Sequence, residues 1–342
     1  IADYGEAIRL NARYADAWAN RAIAWSGRAE AETARGGDPR ESLSKAIQDA
    51  GHAIGLRPEI ALYYNTRGQA RRMLGQAEAA RGVDPSATYD GAIEDFGKAI
   101  ERRPSFAFAY NNRAIVWLGK GDIAVASGAD PTQALEKAIA DLGEALRLNP
   151  NYPEAYNNRG NARHDLALAR RAAGEDARPL LRESIADFGQ ALTRNPRFAA
   201  VYNNRGFAWK DLGDDEAAQG EDPRPTYDKA IADCTQALSI NPTMLPALSN
   251  RAAAHAERGA AEAARGGDRR DGYEKAIEDF RRMIALAPGS WQAYANAGTL
   301  LEQLGRPEEA VPLYEKALSI VGDGYPALGE WLARAKAAAG GK

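Results

Sequence analysis

The sequence has few of the residues from which covalent cross-links and metal centres are built. Its 342 residues include one cysteine, Cys234, and three histidines, His52, His164 and His255, which lie far apart. A single cysteine excludes a disulfide framework and a cysteine-based zinc site. The scattered histidines leave little room for a histidine-rich metal centre. We therefore expect neither a metal nor a cofactor.

Long apolar runs and an excess of basic charge are also missing. A membrane-spanning helix needs roughly 20 apolar residues in a row, and no such run exists, so no membrane insertion is expected. The formal net charge is −3 with acids and bases evenly spread, whereas nucleic-acid binding needs a clustered basic face. No phosphate-binding glycine loop, nucleophile motif or paired catalytic carboxylate is present. The sequence predicts neither an enzyme nor a nucleic-acid partner.

What the sequence does contain is a repeat with a 46-residue step. A proline recurs at this step as Pro58, Pro104, Pro150, Pro196, Pro242 and Pro288. A Gly-x-Asp triplet begins at Gly36, Gly82, Gly128, Gly174, Gly220 and Gly266. An Ile-x-Asp triplet begins at Ile47, Ile93, Ile139, Ile185, Ile231 and Ile277. Six copies in one register establish an internal repeat.

Each copy has the pattern of two helices joined by a turn. In the fourth copy Pro150 ends the preceding helix, because proline cannot continue one. Gly174 supplies the left-handed residue that ends the first helix, and Asp176 can accept hydrogen bonds from amides at the start of the second. In four copies a proline follows this aspartate, which predicts proline at the first helical position. No segment alternates with a period of two, so no strands are expected.

These motifs resemble the tetratricopeptide repeat family, whose repeats are about 34 residues long. In the fourth copy Tyr156, Gly160, Phe188, Ala191 and Pro196 match the family positions once 12 residues are placed between the helices. The last copy, 288–321, matches without an insertion. The resemblance implies an all-α fold, a right-handed superhelical solenoid of antiparallel helix pairs.

The repeat arithmetic predicts one solenoid over residues 1–342. Residues 1–11 are expected to be the second helix of a truncated repeat, and 12–287 six 46-residue repeats. Residues 288–321 are expected to be one 34-residue repeat and 322–342 a C-terminal capping helix. We expect the insertion to lengthen both helices of each pair equally, by about three half-turns; the alternative is a separate short helix.

The resemblance places two asparagine columns on the concave face. Asparagines of the family's sixth position are Asn20, Asn112, Asn158, Asn204, Asn250 and Asn296, and the neighbouring column has Asn65, Asn111, Asn157 and Asn203. They resemble the asparagine ladder of the O-linked N-acetylglucosamine transferase superhelix, which grips a peptide backbone. An amide both donates and accepts, so it can pair with any peptide group. The alternative is that the asparagines cap or bridge neighbouring first helices.

The predicted function is therefore a non-catalytic scaffold that holds an extended protein segment in its groove. The predicted peptide contacts are Asn111, Asn112, Ile115, Asn157, Asn158, Asn161, His164, Asn203, Asn204, Phe207, Lys210 and Asn250. Three acids deeper in the wall, Asp165, Asp211 and Glu257, favour a basic ligand. Alternative functions are self-association, or a regulatory region of a larger bacterial signalling protein such as a Ser/Thr kinase. No signal peptide is present, and we expect a cytoplasmic protein.

Two further columns are predicted to be structural. The arginine after the sixth-position residue recurs with the aspartate of the Ile-x-Asp triplet, which predicts an ion pair between the two helices of each repeat. The eleventh position alternates as Trp25, Arg71, Trp117, Arg163, Trp209 and His255. This alternation predicts stacking of tryptophan on arginine between adjacent first helices. Cys234 occupies a packing position and is expected to be buried.

Overall fold

The computed structural model describes residues 1–340, and its regular structure there is helical throughout. The helices are α1 (Ala2–Leu10), α2 (Ala15–Ala34), α3 (Arg40–Leu56), α4 (Ala61–Ala79), α5 (Ser86–Arg102), α6 (Ala107–Ala126), α7 (Thr132–Leu148), α8 (Pro153–Ala172), α9 (Arg178–Arg194), α10 (Ala199–Ala218), α11 (Arg224–Ile240), α12 (Leu245–Ala264), α13 (Arg270–Leu286), α14 (Trp291–Gln303), α15 (Pro307–Val321) and α16 (Ala327–Gly340). A 3₁₀ turn, Gly322–Gly324, precedes α16. Residues 341–342, the end of the predicted capping helix, lie outside the described residues.

The chain divides into two compact units, Ile1–Gly174 and Glu175–Lys342. In the first unit each helix from α1 to α8 packs on the next, and α2, α4, α6 and α8 also pack side by side. In the second unit each helix from α9 to α16 packs on the next, and α10 packs on α12. The predicted all-α class of paired helices is confirmed. We call α2, α4, α6, α8, α10, α12 and α14 the first helices, and the surface that they form in each unit the first-helix face.

The helices end and begin at the predicted glycine and aspartate residues, with one difference. Gly36 adopts a positive φ of 73° after α2, a conformation that costs glycine little. Asp38 then accepts a hydrogen bond from the Arg40 amide at 3.2 Å. Pro39 precedes α3 instead of occupying its first helical position. The predicted start of α3 is therefore one residue too early. Asp38 accepts from the amide of Arg40, the first residue of α3, so Pro39 lies between the capping aspartate and the helix.

The insertion lengthens the first helix of each pair far more than the second. Helix α2 has 20 residues and α3 has 17, whereas in the last pair α14 has 13 and α15 has 15. The expectation of equal lengthening is wrong. A turn of residues 35–39, with no separate helix, joins α2 to α3. The extra length of α4 is covered by Tyr89 from the first turn of α5, which packs on Gly75.

The predicted ion pair between the two helices of a repeat is confirmed. In the first hairpin Arg21 Nε donates to Asp49 Oδ2 at 2.6 Å and Nη2 donates to Oδ1 at 2.8 Å, a bidentate fork. The same pairing occurs in Arg67–Asp95, Arg113–Asp141, Arg205–Asp233 and Arg251–Asp279. The aspartates are buried, so each fork neutralises a charge that burial would otherwise disfavour.

Cys234 is fully buried, as predicted. Its sulfur lies against Gly206, where an added Cβ would come within 2.7 Å of Sγ. Burial raises the pKa of the thiol to about 12, so this cysteine packs as a small apolar residue.

Candidate functional site

In the first unit the predicted asparagines pair across neighbouring first helices. The Asn112 side-chain amide donates to Asn65 Oδ1 at 3.2 Å, and that of Asn158 donates to Asn111 Oδ1 at 3.0 Å. Asn65 and Asn111 are buried, whereas Asn112 and Asn158 are half-buried. Each pair therefore has an inner amide that accepts and an outer amide that reaches the surface. For these residues the structure has the predicted alternative, a bridge between first helices.

The second unit repeats the arrangement. The Asn250 amide donates to Asn203 Oδ1 at 3.0 Å, and Asn203 donates to Asn204 Oδ1 at 3.3 Å. In the first unit Asn157 similarly donates to Asn158 Oδ1 at 3.4 Å. The two columns are thus linked along the helix and between helices. This makes each first-helix face a row of mutually oriented amides.

The other predicted contacts differ in accessibility. Ile115 and Asn161 of the first unit are half-buried, and Phe207 of the second unit is 37% exposed. His164 is buried, with Nδ1 3.7 Å from Asp165 Oδ1. His164 therefore lies in the wall beneath the face.

Lys210 belongs to an acidic cluster in the second unit. Its Nζ lies 2.6 Å from Asp214 Oδ2 and 3.7 Å from Asp211 Oδ1, and the Tyr227 hydroxyl donates to Asp214 Oδ1 at 2.9 Å. Burial lowers the pKa of Lys210, but the hydrogen bond to Asp214 and the charges of Asp211 and Glu257 outweigh it, so the pKa is raised overall. Burial and the charge of Asp214 raise the pKa of Glu257. Lys210 therefore already has carboxylate partners.

Several exposed apolar side chains on the first helices were not predicted as contacts, among them Leu62 and Phe108. Leu62 of α4 is 50% exposed and Phe108 of α6 is 54% exposed. Phe108 lies one helical turn before Asn112, and the two positions share a helix face. Its ring centroid lies 5.2 Å from that of Tyr152. The position one turn before the sixth-position residue is not apolar in every repeat, since it is Asp16 in α2 and Glu154 in α8, so no repeating signal in the sequence marked these two side chains.

The tryptophans at the eleventh position pair with lysines of their own hairpin. Lys137 Nζ lies 4.4 Å from the centroid of the Trp117 ring. The same contact joins Lys45 to Trp25 at 4.7 Å and Lys229 to Trp209 at 4.4 Å. Arg71, predicted to stack on a neighbouring tryptophan, instead donates to Gly91 O at 3.0 Å and Asp95 Oδ2 at 2.7 Å. The predicted tryptophan–arginine stacking is wrong for Arg71, because its guanidinium reaches the second helix of its own pair.

This contact predicts a small structural effect. Lys137→Met keeps the aliphatic stem and removes the nearer of the two lysine charges beside Trp117, the other being Lys120 at 5.9 Å, so we expect the free energy of unfolding to fall by about 0.5 kcal/mol. Urea titration followed by tryptophan fluorescence measures this change. Lys316→Met makes the same substitution at an exposed lysine of α15 and should leave the midpoint unchanged. Equal midpoints for both variants would show that the ring contact contributes nothing.

The described part of the chain has neither a membrane-spanning helix nor a cluster of metal ligands. No helix within residues 1–340 is long and apolar enough to span a bilayer. Over the same residues, no group of three or more His, Cys, Asp and Glu side chains is arranged to hold a metal ion.

Family models identify the class of repeat. Residues 132–166 match a model described as TPR repeat, and residues 292–320 match one described as tetratricopeptide repeat. The first match begins with α7 and ends within α8, so it crosses the short connection between two 46-residue copies. The chain therefore contains tetratricopeptide repeats, an architecture of scaffolds for protein interaction.

One solved structure has a similar fold, and two others show a more distant similarity. PilF of Pseudomonas aeruginosa is 15% identical, with 78% of this chain and 97% of that chain covered and a TM-score of 0.50. A tetratricopeptide repeat protein from Parabacteroides merdae is 16% identical over 93% of this chain and 99% of that one, with a TM-score of 0.48. YrrB, described as a TPR protein with an unusual peptide-binding site, is 20% identical over 71% and 98%, with a TM-score of 0.46. No curated protein sequence matches the chain.

Proposed function

We propose that the protein is a non-catalytic scaffold that holds an extended peptide against its first-helix face. Asparagine amides would hydrogen-bond to the peptide backbone, at the contacts predicted from the sequence. The proposal includes the domain organisation given above, a single array of 46-residue repeats with one 34-residue repeat and a capping helix. The observation that carries it is the pairing of outer and inner amides across neighbouring first helices.

The hydrogen-bonding capacity of the outer amides supports this function. An asparagine side chain has two N–H donors and a carbonyl acceptor. The bond from Asn112 to Asn65 uses one N–H, so the second N–H and the carbonyl of Asn112 remain for a ligand. The inner amide fixes the orientation of the outer one, which reduces the entropy lost when a peptide binds. Bridging and ligand binding are therefore compatible.

Apolar side chains beside the amides support modest selection among peptides. Leu62 and Phe108 present half of their surface to solvent next to the asparagine columns of the first unit. Exposed aromatic and aliphatic groups beside polar ones are typical of protein-binding surfaces. Backbone recognition by amides would supply affinity, and these side chains would favour apolar residues in the ligand.

The test is a comparison of peptide affinity with stability. Peptides selected against the protein from a random phage library would be resynthesised with a fluorescent label and titrated by fluorescence polarisation. Asn112→Ala with Asn158→Ala should weaken binding by about tenfold, since it removes two peptide hydrogen bonds worth about 0.7 kcal/mol each. Asn151→Ala, an exposed asparagine in the turn before α8, is the matched control and should bind normally.

The same peptides with N-methylated backbone amides separate backbone from side-chain recognition. Methylation removes peptide donors without changing a side chain, so binding should fall by about the same factor. Unchanged affinity in the double asparagine variant, together with a lower unfolding midpoint, would mean that the amides only bridge helices. A library that yields no ligand would contradict the proposal as well.

A further inference from the structure

A groove in the first unit lies beyond the asparagine columns, where the lengthened hairpin of α6 and α7 faces α8. Its volume is about 770 Å³. The walls are largely apolar, with Val125, Leu135, Leu168 and several alanines, and Val125 is 64% exposed. Three carboxylates, Asp122, Asp130 and Asp165, line the same groove. We call Asp122, Val125, Leu135, Asp165 and Leu168 the acidic tip groove.

Asp122 and Asp165 interact with each other, and within residues 1–340 neither forms an ion pair with a lysine or arginine; His164 Nδ1 lies 3.7 Å from Asp165 Oδ1. Partial burial and the negative charge of Asp165 raise the pKa of Asp122. A cation beside Asp122 would lower this pKa, and none is among the causes of the shift. Arg170, the basic residue near the rim, lies 3.4 Å from Glu136, and its charge lowers the pKa of Asp130. The groove therefore carries negative charge that no side chain in its lining neutralises.

In the second unit a lysine neutralises the equivalent pair of carboxylates. The positions two repeats later are Asp214 and Glu257, which repeat the carboxylate pair. There Lys210 provides the cation, with Nζ 2.6 Å from Asp214 Oδ2, and Glu257 contributes to its raised pKa. The residue two repeats before Lys210 is Leu118. The first unit thus has the acids of this arrangement without the lysine.

We propose that the acidic tip groove binds a lysine or arginine side chain of the partner protein. The aliphatic stem of such a side chain would lie on Val125 and Leu168, and its cationic head would pair with Asp122 and Asp165. Charge complementarity selects this occupant, because an uncharged apolar segment would leave two carboxylates partly desolvated and unpaired. The inference rests on the proposed function in that the occupant belongs to a bound protein segment. It concerns a different surface from the asparagine columns.

The first test uses two synthetic peptides that differ in one side chain. A fluorescein-labelled peptide Ser-Gly-Leu-Lys-Leu-Gly-Ser is compared with the same peptide carrying norleucine for lysine. We expect the lysine peptide to bind about tenfold more tightly to the full chain, and its advantage to shrink as salt is raised. Asp122→Asn with Asp165→Asn should remove the difference, because it keeps the shape of the groove and deletes its charge. Equal affinity of the two peptides for the unmodified protein would overturn the inference.

A second variant introduces the missing lysine. Leu118→Lys should place a cation where Lys210 stands in the second unit, and so abolish the preference for the lysine peptide. Leu118→Met is its control and should retain the preference. If Leu118→Lys does not fold by circular dichroism, the isosteric aspartate variants decide alone. A preference that survives in the aspartate variants would overturn the inference.

The asparagine variants separate this inference from the proposed function. Asn112→Ala with Asn158→Ala should weaken the lysine and norleucine peptides by the same factor and leave their ratio unchanged. Suppose that the aspartate variants do not change the ratio of the two peptide affinities, while the asparagine variant weakens both peptides. The groove inference then fails and the proposed function stands. If the asparagine variant binds both peptides normally while the aspartate variants remove the difference between them, the proposed function fails and the groove inference stands.

Discussion

Replacing Asp95 by asparagine is expected to lower the free energy of unfolding of the first unit by about 3 kcal/mol. Asp95 is fully buried and accepts hydrogen bonds from two guanidinium groups. Arg67 Nη2 lies 2.6 Å from Oδ1, and Arg71 Nη1 lies 2.7 Å from Oδ2. An amide cannot balance two positive charges, so the substitution leaves both guanidinium groups partly desolvated without a counter-ion. The measurement is urea unfolding together with hydrogen exchange of the α4 and α5 amides.

Glu94→Gln provides a matched control for this prediction. Glu94 is the neighbour of Asp95 on α5, and its carboxylate pairs with Lys98 at the surface. An exposed pair contributes little, so the control should unfold at the midpoint of the unmodified protein. Hydrogen exchange separates a local from a global effect, because repeat proteins open in parts. Equal midpoints for the two variants would show that the fork is not needed to hold this hairpin together.

The helix pairs could be predicted from the sequence because the residues that begin and end each helix act locally. Gly36 and its equivalents end a first helix through a backbone conformation that glycine adopts easily, and Asp38 accepts the first free amide of the second helix. Both effects act within a few residues, so a single repeat contains all the information. The forks between first and second helices were predictable for a related reason. A buried charge requires a partner, and one aspartate recurs at the same step as the arginine.

The unequal division of the insertion follows from the different composition of its two halves, which the expectation of equal lengthening did not take into account. The first half, Ala-Glu-Ala-Ala-Arg at 77–81, is helix-forming, whereas the second half is the Gly-x-Asp turn and the start of the second helix. Tyr89 in the first turn of α5 packs on Gly75 and Gly119, and this contact covers the lengthened α4. The glycines recur in the sequence, but their function is visible only when the ring lies against them.

The asparagines of the candidate site could be predicted from the sequence, whereas the contacts of the side chains around them were predicted less well. The asparagine columns recur at the repeat step, and the structure joins them through hydrogen bonds. The predicted stacking on tryptophan is wrong for Arg71, because the direction of a side chain on a helix depends on the packing of that helix. Lys45, Lys137 and Lys229 recur at the spacing of Trp25, Trp117 and Trp209, which was the signal for the observed pairing. Leu62 and Phe108 were missed because exposure depends on which neighbours cover a residue.

Gly75 is a position at which an added methyl group has a large expected packing cost. A Cβ on Gly75 of α4 would lie 2.5 Å from Cδ1 of the Tyr89 ring, and a Cβ on Gly119 of α6 would lie 3.0 Å from Cε2. The ring is therefore held between two glycines, and it is only 4% exposed. It cannot move away from one side without approaching the other.

Gly75→Ala is accordingly expected to lower the free energy of unfolding of the first unit by about 2 kcal/mol. This loss exceeds the gain in helix propensity, which is about 1 kcal/mol for alanine over glycine. Gly27→Ala in α2 is the control, because nothing lies within 4 Å of the added Cβ. It should stabilise the protein by up to about 1 kcal/mol. Urea unfolding followed by circular dichroism measures both changes.

A second substitution should rescue the first. The preceding hairpin has Ala29 and Leu43 at the positions of Gly75 and Tyr89, so alanine is accommodated where leucine replaces the ring. Gly75→Ala with Tyr89→Leu should therefore recover most of the stability that Gly75→Ala loses, a coupling that independent sites would not show. If Gly75→Ala instead stabilises the chain as Gly27→Ala does, the ring is not confined. The packing of Tyr89 then no longer accounts for the covering of the lengthened α4.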